Sequence, residues 1–355
     1  MSRLLEQRSR QAHSLRGSKY EPRRPVASSE RKTTSAMIAS IAGDDVPTIS
    51  APFGNALTKL AAERDDIVGM TADLSKYTDL HVFAKAYPDR FYQMGMAEQV
   101  LMSAAAGIAR EGFTPFVTTY AVFASRRAYD FICLAIAEEM LNVKIVCALP
   151  GLTTGYGPSH QATEDIAIFR GMPNLTIVDP ADAIEIEQAV PQIADHRGPV
   201  YMRLLRGKVP RVLDEYGYKF ELGKAKMIVD GQDFLFVSSG LMTMRVLEAT
   251  KELAKEGVSC GVLHVPTIKP LDTETIVREC TRLGRPVIVA ENHTVIGGLG
   301  EAVAATLMRE GANQNIFRQI ALPDEFLDAG ALPTLHDQYG LSTKAICTSI
   351  RSWLK

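Results

Sequence analysis

The sequence predicts an α/β protein of two doubly wound domains, the first with a mostly parallel sheet. Two observations carry this. From Ala51 onward, short runs of Val, Ile, Leu and Phe alternate with helical patterns. Strands that are apolar along their whole length belong to parallel sheets covered on both faces. The rhythm then lapses once, over KVPRVLDEYGYKFELGKA, and resumes. A chain of 355 residues, 46% of them apolar, can bury about two cores.

The elements follow in order. NALTKLAAERDD has amphipathic spacing and predicts a helix, and DIVGMTADL predicts a strand ending in a loop of small residues. RFYQMG is a second strand. AEQVLMSAAAGIAREG is a helix closed by Gly112. TPFVTTY is a strand, FASRRAYDFICLAIAEE a helix, and VKIVCALPG a strand that runs into the Gly-rich loop LTTGYGPSHQ. The helix EDIAIFRGM, the strand LTIVDP, the helix DAIEIEQAVPQIAD and the strand PVYMRL complete a domain over residues 47–212. Residues 213–228 read as a linker. The second domain, 229–355, has strands in DFLFVSSG, VSCGVLHV and PVIVAE. Its helices lie in LMTMRVLEATKELAKEG, DTETIVRECTRLG and GGLGEAVAATLMREG.

Residues 1–46 differ in kind, being rich in Arg, Lys and Ser and poor in acids and large apolar groups. They hold no apolar signal core, and although transit peptides share their composition, they read as a disordered or partner-wrapping arm. A net charge of −2 argues against nucleic-acid and membrane-surface partners, and no apolar run approaches the ~20 residues of a membrane span. The 5 cysteines are scattered, without a CxxC pair. They read as thiols of a reducing, cytoplasmic compartment rather than a zinc site.

Ligands of open parallel sheets bind at the carboxyl ends of strands. Three unusual segments fall there: TADLSKYT with Asp73, MAEQ with Glu98, and GYGPSHQ with Tyr156 and His160. Glu98 opens a helix, where an acid is favoured by the macrodipole. Met94, Met96, Val100 and Leu101 make its flanks apolar, however, which points to a carboxyl that needs a specific partner. His160 is a loop imidazole suited to proton transfer or hydrogen bonding. The glycines of LTTGYG permit close approach to a ligand but fit no phosphate-loop pattern. GGLG at 297–300 opens a helix and suits a cap or a weakly held anion.

Several segments together resemble the thiamine-diphosphate-dependent transketolase family: GMAEQ, SAAAGIAREGFTPF, VTTYAVFASRRAYD, GPSHQATEDIAIFRGMPNLTIVDPAD, GPVYMRLLRG, HVPTIKPLD and AENHTVIGGLG. The resemblance runs from about Ala51 to about Thr343 and implies a pyrimidine-binding domain followed by a transketolase C-terminal domain. The GDG motif of the family's diphosphate-binding domain has no counterpart, since GDD at 43–45 follows no strand. The chain therefore resembles the small subunit of a split transketolase. That implies a large, diphosphate-binding partner subunit that ligates Mg²⁺ (or Ca²⁺), no metal ligand in this chain, and an α2β2 heterotetramer.

The resemblance also assigns roles. The position of Glu98 hydrogen-bonds the aminopyrimidine ring of thiamine diphosphate and favours its imino tautomer, the cofactor acting as electron sink. Phe123 stacks on that ring, Tyr120 and Met96 line the pocket, Asp73 faces the cofactor, and Arg127 lies beside it. His160 touches substrate hydroxyls and Arg206 grips a substrate phosphate, with Arg203 as a further substrate contact. The activity implied is transfer of a two-carbon ketol unit from a ketose to an aldose. Two family positions depart here: the usual Asp of the GPxH motif is Tyr156, and a usual His is Ala148. The rest of the phosphate grip aligns near Ser50 and Tyr77. These departures open the substrate to modified sugars or another anionic group. A deoxyxylulose-phosphate-synthase-like enzyme, a 2-oxoacid dehydrogenase beta subunit and a non-catalytic scaffold are the competing expectations.

Overall fold

The computed structural model describes residues 46–312 and 316–354. The arm expected over residues 1–46 lies, but for its last residue, outside the described residues, as does GDD at 43–45.

The first domain runs β1 (Thr48–Ser50), α1 (Pro52–Glu63), β2 (Ile67–Thr71), α2 (His81–Ala86), β3 (Phe91–Gln93), α3 (Glu98–Arg110), β4 (Thr114–Tyr120) and α4 (Ala121–Arg127). It continues with α5 (Tyr129–Ile132), which passes into a π turn at Cys133–Ala137, then β5 (Lys144–Ala148), α6 (Asp165–Arg170), β6 (Thr176–Val178), α7 (Ala183–Asp195), β7 (Val200–Leu204) and β8 (Lys208–Pro210). The second domain runs β9 (Lys226–Val229), β10 (Phe234–Ser238), α8 (Gly240–Ala254), β11 (Cys260–His264), β12 (Thr267–Lys269), α9 (Thr273–Thr281) and β13 (Val287–Thr294). It ends with α10 (Leu299–Arg309), β14 (Phe317–Leu322), α11 (Leu332–Gln338) and α12 (Thr343–Trp353).

A seven-stranded sheet has the order β12-β6-β7-β5-β4-β2-β3. Within it, β6, β7, β5, β4, β2 and β3 are parallel. Their carboxyl ends therefore share one edge. Every residue of β2, β4, β5 and β7 is buried, as the unbroken apolar runs require. The remaining strand, β12, comes from HVPTIKPLD in the second domain and pairs antiparallel with β6. One domain thus completes the sheet of the other.

The second sheet has five strands in the order β14-β13-β10-β11-β9, parallel except for β9. The end of the segment read as linker is therefore a strand, β9. Alternate residues of β10 face two different cores. Phe234 and Phe236 join the cluster that continues into the first domain, while Leu235 and Val237 join a separate cluster with Leu299 and Val303 of α10.

The seam between the domains is polar. Arg203, 1% exposed, donates through Nε to Asp165 Oδ2 at 2.9 Å and through Nη1 to Asp179 Oδ2 at 3.1 Å. Its Nη2 reaches Asp165 Oδ1 at 3.2 Å and the Asn292 carbonyl at 2.9 Å. Ser239 Oγ, from the second domain, donates to Asp179 Oδ2 at 2.8 Å. A second buried chain links His264 Nε2 to Glu185 Oε1 at 2.9 Å, and Tyr218 donates to the same oxygen at 2.6 Å.

Candidate active site

Glu98 is the first residue of α3, and only 3% of its surface is exposed. The helical period explains this: Glu98, Leu101, Met102 and Ala105 recur on one face and are buried. Val100 falls off that face, Met96 precedes the helix, and both are exposed, Met96 to 82%. The apolar flanks expected from these two residues are therefore not built around Glu98 within this chain. Its partner is Arg127, whose Nη1 donates to Glu98 Oε1 at 3.4 Å. Among the described residues no donor reaches Glu98 Oε2.

Arg127 ends α4 and lies over the Phe123 ring, 4.0 Å from its centroid. One helical turn separates the two residues, so they share a face of α4. Phe123 and His160 meet edge to face at 5.5 Å, and Tyr120, the last residue of β4, stands 5.5 Å from Phe123 and 5.9 Å from His160. Tyr156, 59% exposed, packs edge-on to His160 at 5.5 Å. Glu98, Phe123, Tyr120, Arg127, Tyr156 and His160 thus converge at the carboxyl edge of the sheet. Burial, reinforced by the Arg127 charge, lowers the pKa of His160 and favours its neutral form. Ser159 Oγ lies 2.9 Å from its Nδ1.

Arg206 follows β7 on the same edge. Its guanidinium stands 5.7 Å from the centroid of the Tyr77 ring, and its Nε is buried with no partner among the described residues. Burial raises the pKa of the Tyr120 hydroxyl, with the Arg206 charge opposing. Asp79 is a neighbour that sequence reading missed. Both its carboxylate oxygens accept the Gly207 N–H, at 3.1 and 3.0 Å. Burial pushes its pKa up to about 6 against that bond and the Arg206 and His81 charges. The only available signal was an acid in the loop after β2. Asp73 is exposed and bound to β3: its N–H donates to Gln93 Oε1 at 2.7 Å, and Gln93 Nε2 donates back to its Oδ1 at 3.0 Å.

Three residues do not join this cluster. Arg203, expected as a substrate contact, has its guanidinium committed to Asp165, Asp179 and Asn292 in the interdomain seam. Met96 points outward. Ala148 ends β5 fully buried and offers no polar atom.

GGLG has an internal explanation. The Glu291 carboxylate accepts the Leu299 N–H at 2.6 Å and the Gly300 N–H at 2.9 Å, so the anion at this helix start belongs to the chain. A Cβ on Gly298 would overlap the Glu291 carboxylate. The close approach made by Gly155 is likewise not to a ligand, since a Cβ there would overlap the carbonyl of Gly330 in the second domain.

The arrangement suits a flat heteroaromatic ring. Phe123 and Tyr120 form an aromatic wall, and the Glu98 carboxyl beside it has one oxygen uncommitted among the described residues. Among those residues no group of three or more His, Cys, Asp or Glu could hold a metal ion.

A parallel sheet with such an aromatic and carboxyl edge, joined to a second α/β domain, defines a class of cofactor-binding α/β proteins. Family comparison narrows the class. Residues 44–211 match the transketolase pyrimidine-binding domain, and residues 223–346 match the transketolase C-terminal domain. The chain belongs to the transketolase family, whose enzymes depend on thiamine diphosphate. It is 73% identical to a transketolase family protein of Sinorhizobium fredii, over 96% of this chain and 99% of that protein. It is 38% identical to a 6-deoxy-6-sulfo-D-fructose transketolase subunit of a Clostridium species, over 82% of this chain and 89% of that one. A solved split-gene transketolase, described as an inactive beta4 tetramer, is 40% identical, with a TM-score of 0.77 over 85% of this chain and 96% of that one.

Proposed function

We propose that this chain is the pyrimidine-domain subunit of a split transketolase, which transfers a two-carbon ketol unit from a ketose to an aldose. The observation that carries the reading is Glu98: a buried carboxyl at the carboxyl edge of the sheet, beside the Phe123–Tyr120 wall, with one oxygen unused. Bound thiamine diphosphate supplies the electron sink for cleavage beside the ketose carbonyl. Glu98 would share a proton with the aminopyrimidine ring of the bound cofactor, and Phe123 and Tyr120 would line the ring's face. Arg127 holds Glu98 and Phe123 in register. Asp73, tied to Gln93, fixes the loop at the rim.

His160, kept neutral by burial and Arg127, can accept a proton from a substrate hydroxyl. Arg206, with its unused Nε, binds the anionic tail of the sugar, a phosphate or a sulfonate. The likeness to the Clostridium subunit and the replacement of the usual Asp by Tyr156 both favour a modified ketose.

A separate large subunit supplies the diphosphate site and its Mg²⁺ (or Ca²⁺), in an α2β2 assembly in the cytoplasm. The surface supports this. Tyr92, Met96, Val100, Tyr129, Phe131 and Leu134 are exposed on β3, the bend before α3, α3, α5 and the π turn, a set of apolar side chains that suits contact with a partner subunit. Among the described residues no helix is long and apolar enough to cross a membrane.

Reconstitution tests the reading. The chain mixed with a diphosphate-binding subunit should transfer ketol units from a panel of ketose phosphates and sulfoketoses. Calorimetry should show weak thiamine diphosphate binding by the chain alone. Activity confined to pyruvate would overturn the reading in favour of a deoxyxylulose-phosphate-synthase-like or 2-oxoacid enzyme.

A further inference from the structure

The loop between β5 and α6 carries Tyr156 and His160, yet much of what holds it comes from the other domain. Its neck is closed locally: Gly151 N–H donates to the Ala162 carbonyl at 2.8 Å, and Thr153 Oγ1 to the Pro150 carbonyl at 2.9 Å. Arg126 in α4 donates to the Pro158 carbonyl at 3.0 Å and pairs with Glu164. Beyond these contacts the second domain takes over. Asn292 Oδ1, near the end of β13, accepts the Leu152 N–H at 2.8 Å. His336 in α11 reaches the Leu152 carbonyl through Nε2 at 2.7 Å. Gly330 N–H donates to the Gly155 carbonyl at 3.0 Å. Gln161 Nε2 bridges the carbonyls of Thr154, at 3.2 Å, and Asp328, at 3.1 Å.

Among these anchors His336 is a fully buried side chain that holds a buried loop carbonyl. A carbonyl cannot donate, so Nε2 carries the proton, and the ring is the neutral Nε2–H form. Its Nδ1 is buried without a partner among the described residues. Burial sets its pKa down to about 4; the Leu152 bond opposes this, and the neighbouring charges of Arg245 and Asp337 act in opposite directions. The ring therefore keeps its donor form throughout the neutral range. Removing it would strand the Leu152 carbonyl away from water, the costly way to lose a hydrogen bond.

We propose that His336 is a positioning residue for the reaction: through the Leu152 carbonyl it sets the loop that presents Tyr156 and His160. The second domain then governs the substrate-facing end of the site from outside the aromatic cluster. This rests on the reading of that cleft as the substrate site.

Hydrogen–deuterium exchange on the full chain, joined to ketol-transfer assays of the reconstituted pair, tests it. His336→Leu should speed exchange of the amides of residues 152–157 about tenfold and leave the strand amides of β2, β4 and β5 unchanged. It should also lower kcat about tenfold. His336→Gln, whose amide nitrogen stands about where Nε2 stands, should restore both. The proposal is overturned if exchange in the leucine variant is unchanged or quickens evenly over both domains. It is equally overturned if the loop loosens while turnover stays the same, or if glutamine fails to restore either property. A wild-type pair that transfers no ketol unit would overturn the transferase reading instead, and the exchange pattern would still judge the anchor.

Discussion

Glu98 and Glu291 are both buried carboxylates that meet the start of a helix, and they are used in opposite ways. Glu291, in the second domain, accepts two backbone N–H groups of α10 and is fully enclosed. Glu98, at the carboxyl edge of the first sheet, has one long bond to Arg127 and a second oxygen without a protein donor among the described residues. Two arginines repeat the contrast. Arg203 and Arg206 stand a few residues apart on one chain segment. Arg203 is saturated by Asp165, Asp179 and Asn292, while Arg206 keeps a buried Nε without a partner among the described residues. The seam between the domains spends its polar groups on each other, whereas the edge of the sheet holds them in place and leaves atoms available.

The contrast can be broken by exchanging what each region depends on. Glu98→Gln in the reconstituted pair should cost roughly 10³-fold in kcat, because the proton partner of the ring is lost. Its thermal midpoint should stay near that of the parent, because Glu98 supports little of the fold. Arg203→Met should do the reverse. It leaves Asp165 and Asp179 buried without their cation and should lower stability by about 3–5 kcal/mol in chemical denaturation. A loss of activity in this variant that outlasts refolding at low temperature would place Arg203 with the site after all.

The pH dependence of the seam is a smaller effect. His336 has a folded pKa of about 4 against an ordinary 6.5, so the unfolded chain takes up its proton first as pH falls. Its contribution is complete above about 6.5 and is lost as the pH falls toward 4. Comparing wild type with His336→Gln isolates the term, since Asp79 and Glu291, whose pKa values are raised to about 6 and about 7, act in the opposite direction in both proteins. Denaturation midpoints should show the wild type losing roughly 2 kcal/mol more than the variant between pH 7 and pH 5. The smallest effect is expected of Arg206→Ala. It should raise KM for anionic ketoses about tenfold, leave neutral ketoses nearly unaffected, and change stability little, because the guanidinium is under-committed in the fold.

Much of the fold was legible in the sequence. Unbroken apolar strands demand a parallel sheet, and α3 was visible from its small-residue run. The crossing of β12 into the first sheet was not, because TIK is too short to declare its partner. Within the candidate site, Glu98 and His160 stood out because they lie in the segments that follow β3 and β5, whereas Tyr120 and Phe123 came through the family resemblance. Arg127 was legible only through resemblance, and Asp79 had little signal because an acid in a loop is ordinary. Met96 and Val100 misled because Met96 sits in the bend before α3 and Val100 on the exposed side of the helix.

Local chemistry settled the periodicity of the strands and helices and the place of Glu98 at a helix start. These follow from side-chain period and backbone freedom, which act within a few residues. The fate of Arg203 and the hold of His336 on the Leu152 carbonyl were decided by the packing of the domains. Those depend on which donors and acceptors meet across long stretches of chain, 89 residues between Arg203 and Asn292 and 184 between His336 and Leu152, and burial then makes each unmet partner costly.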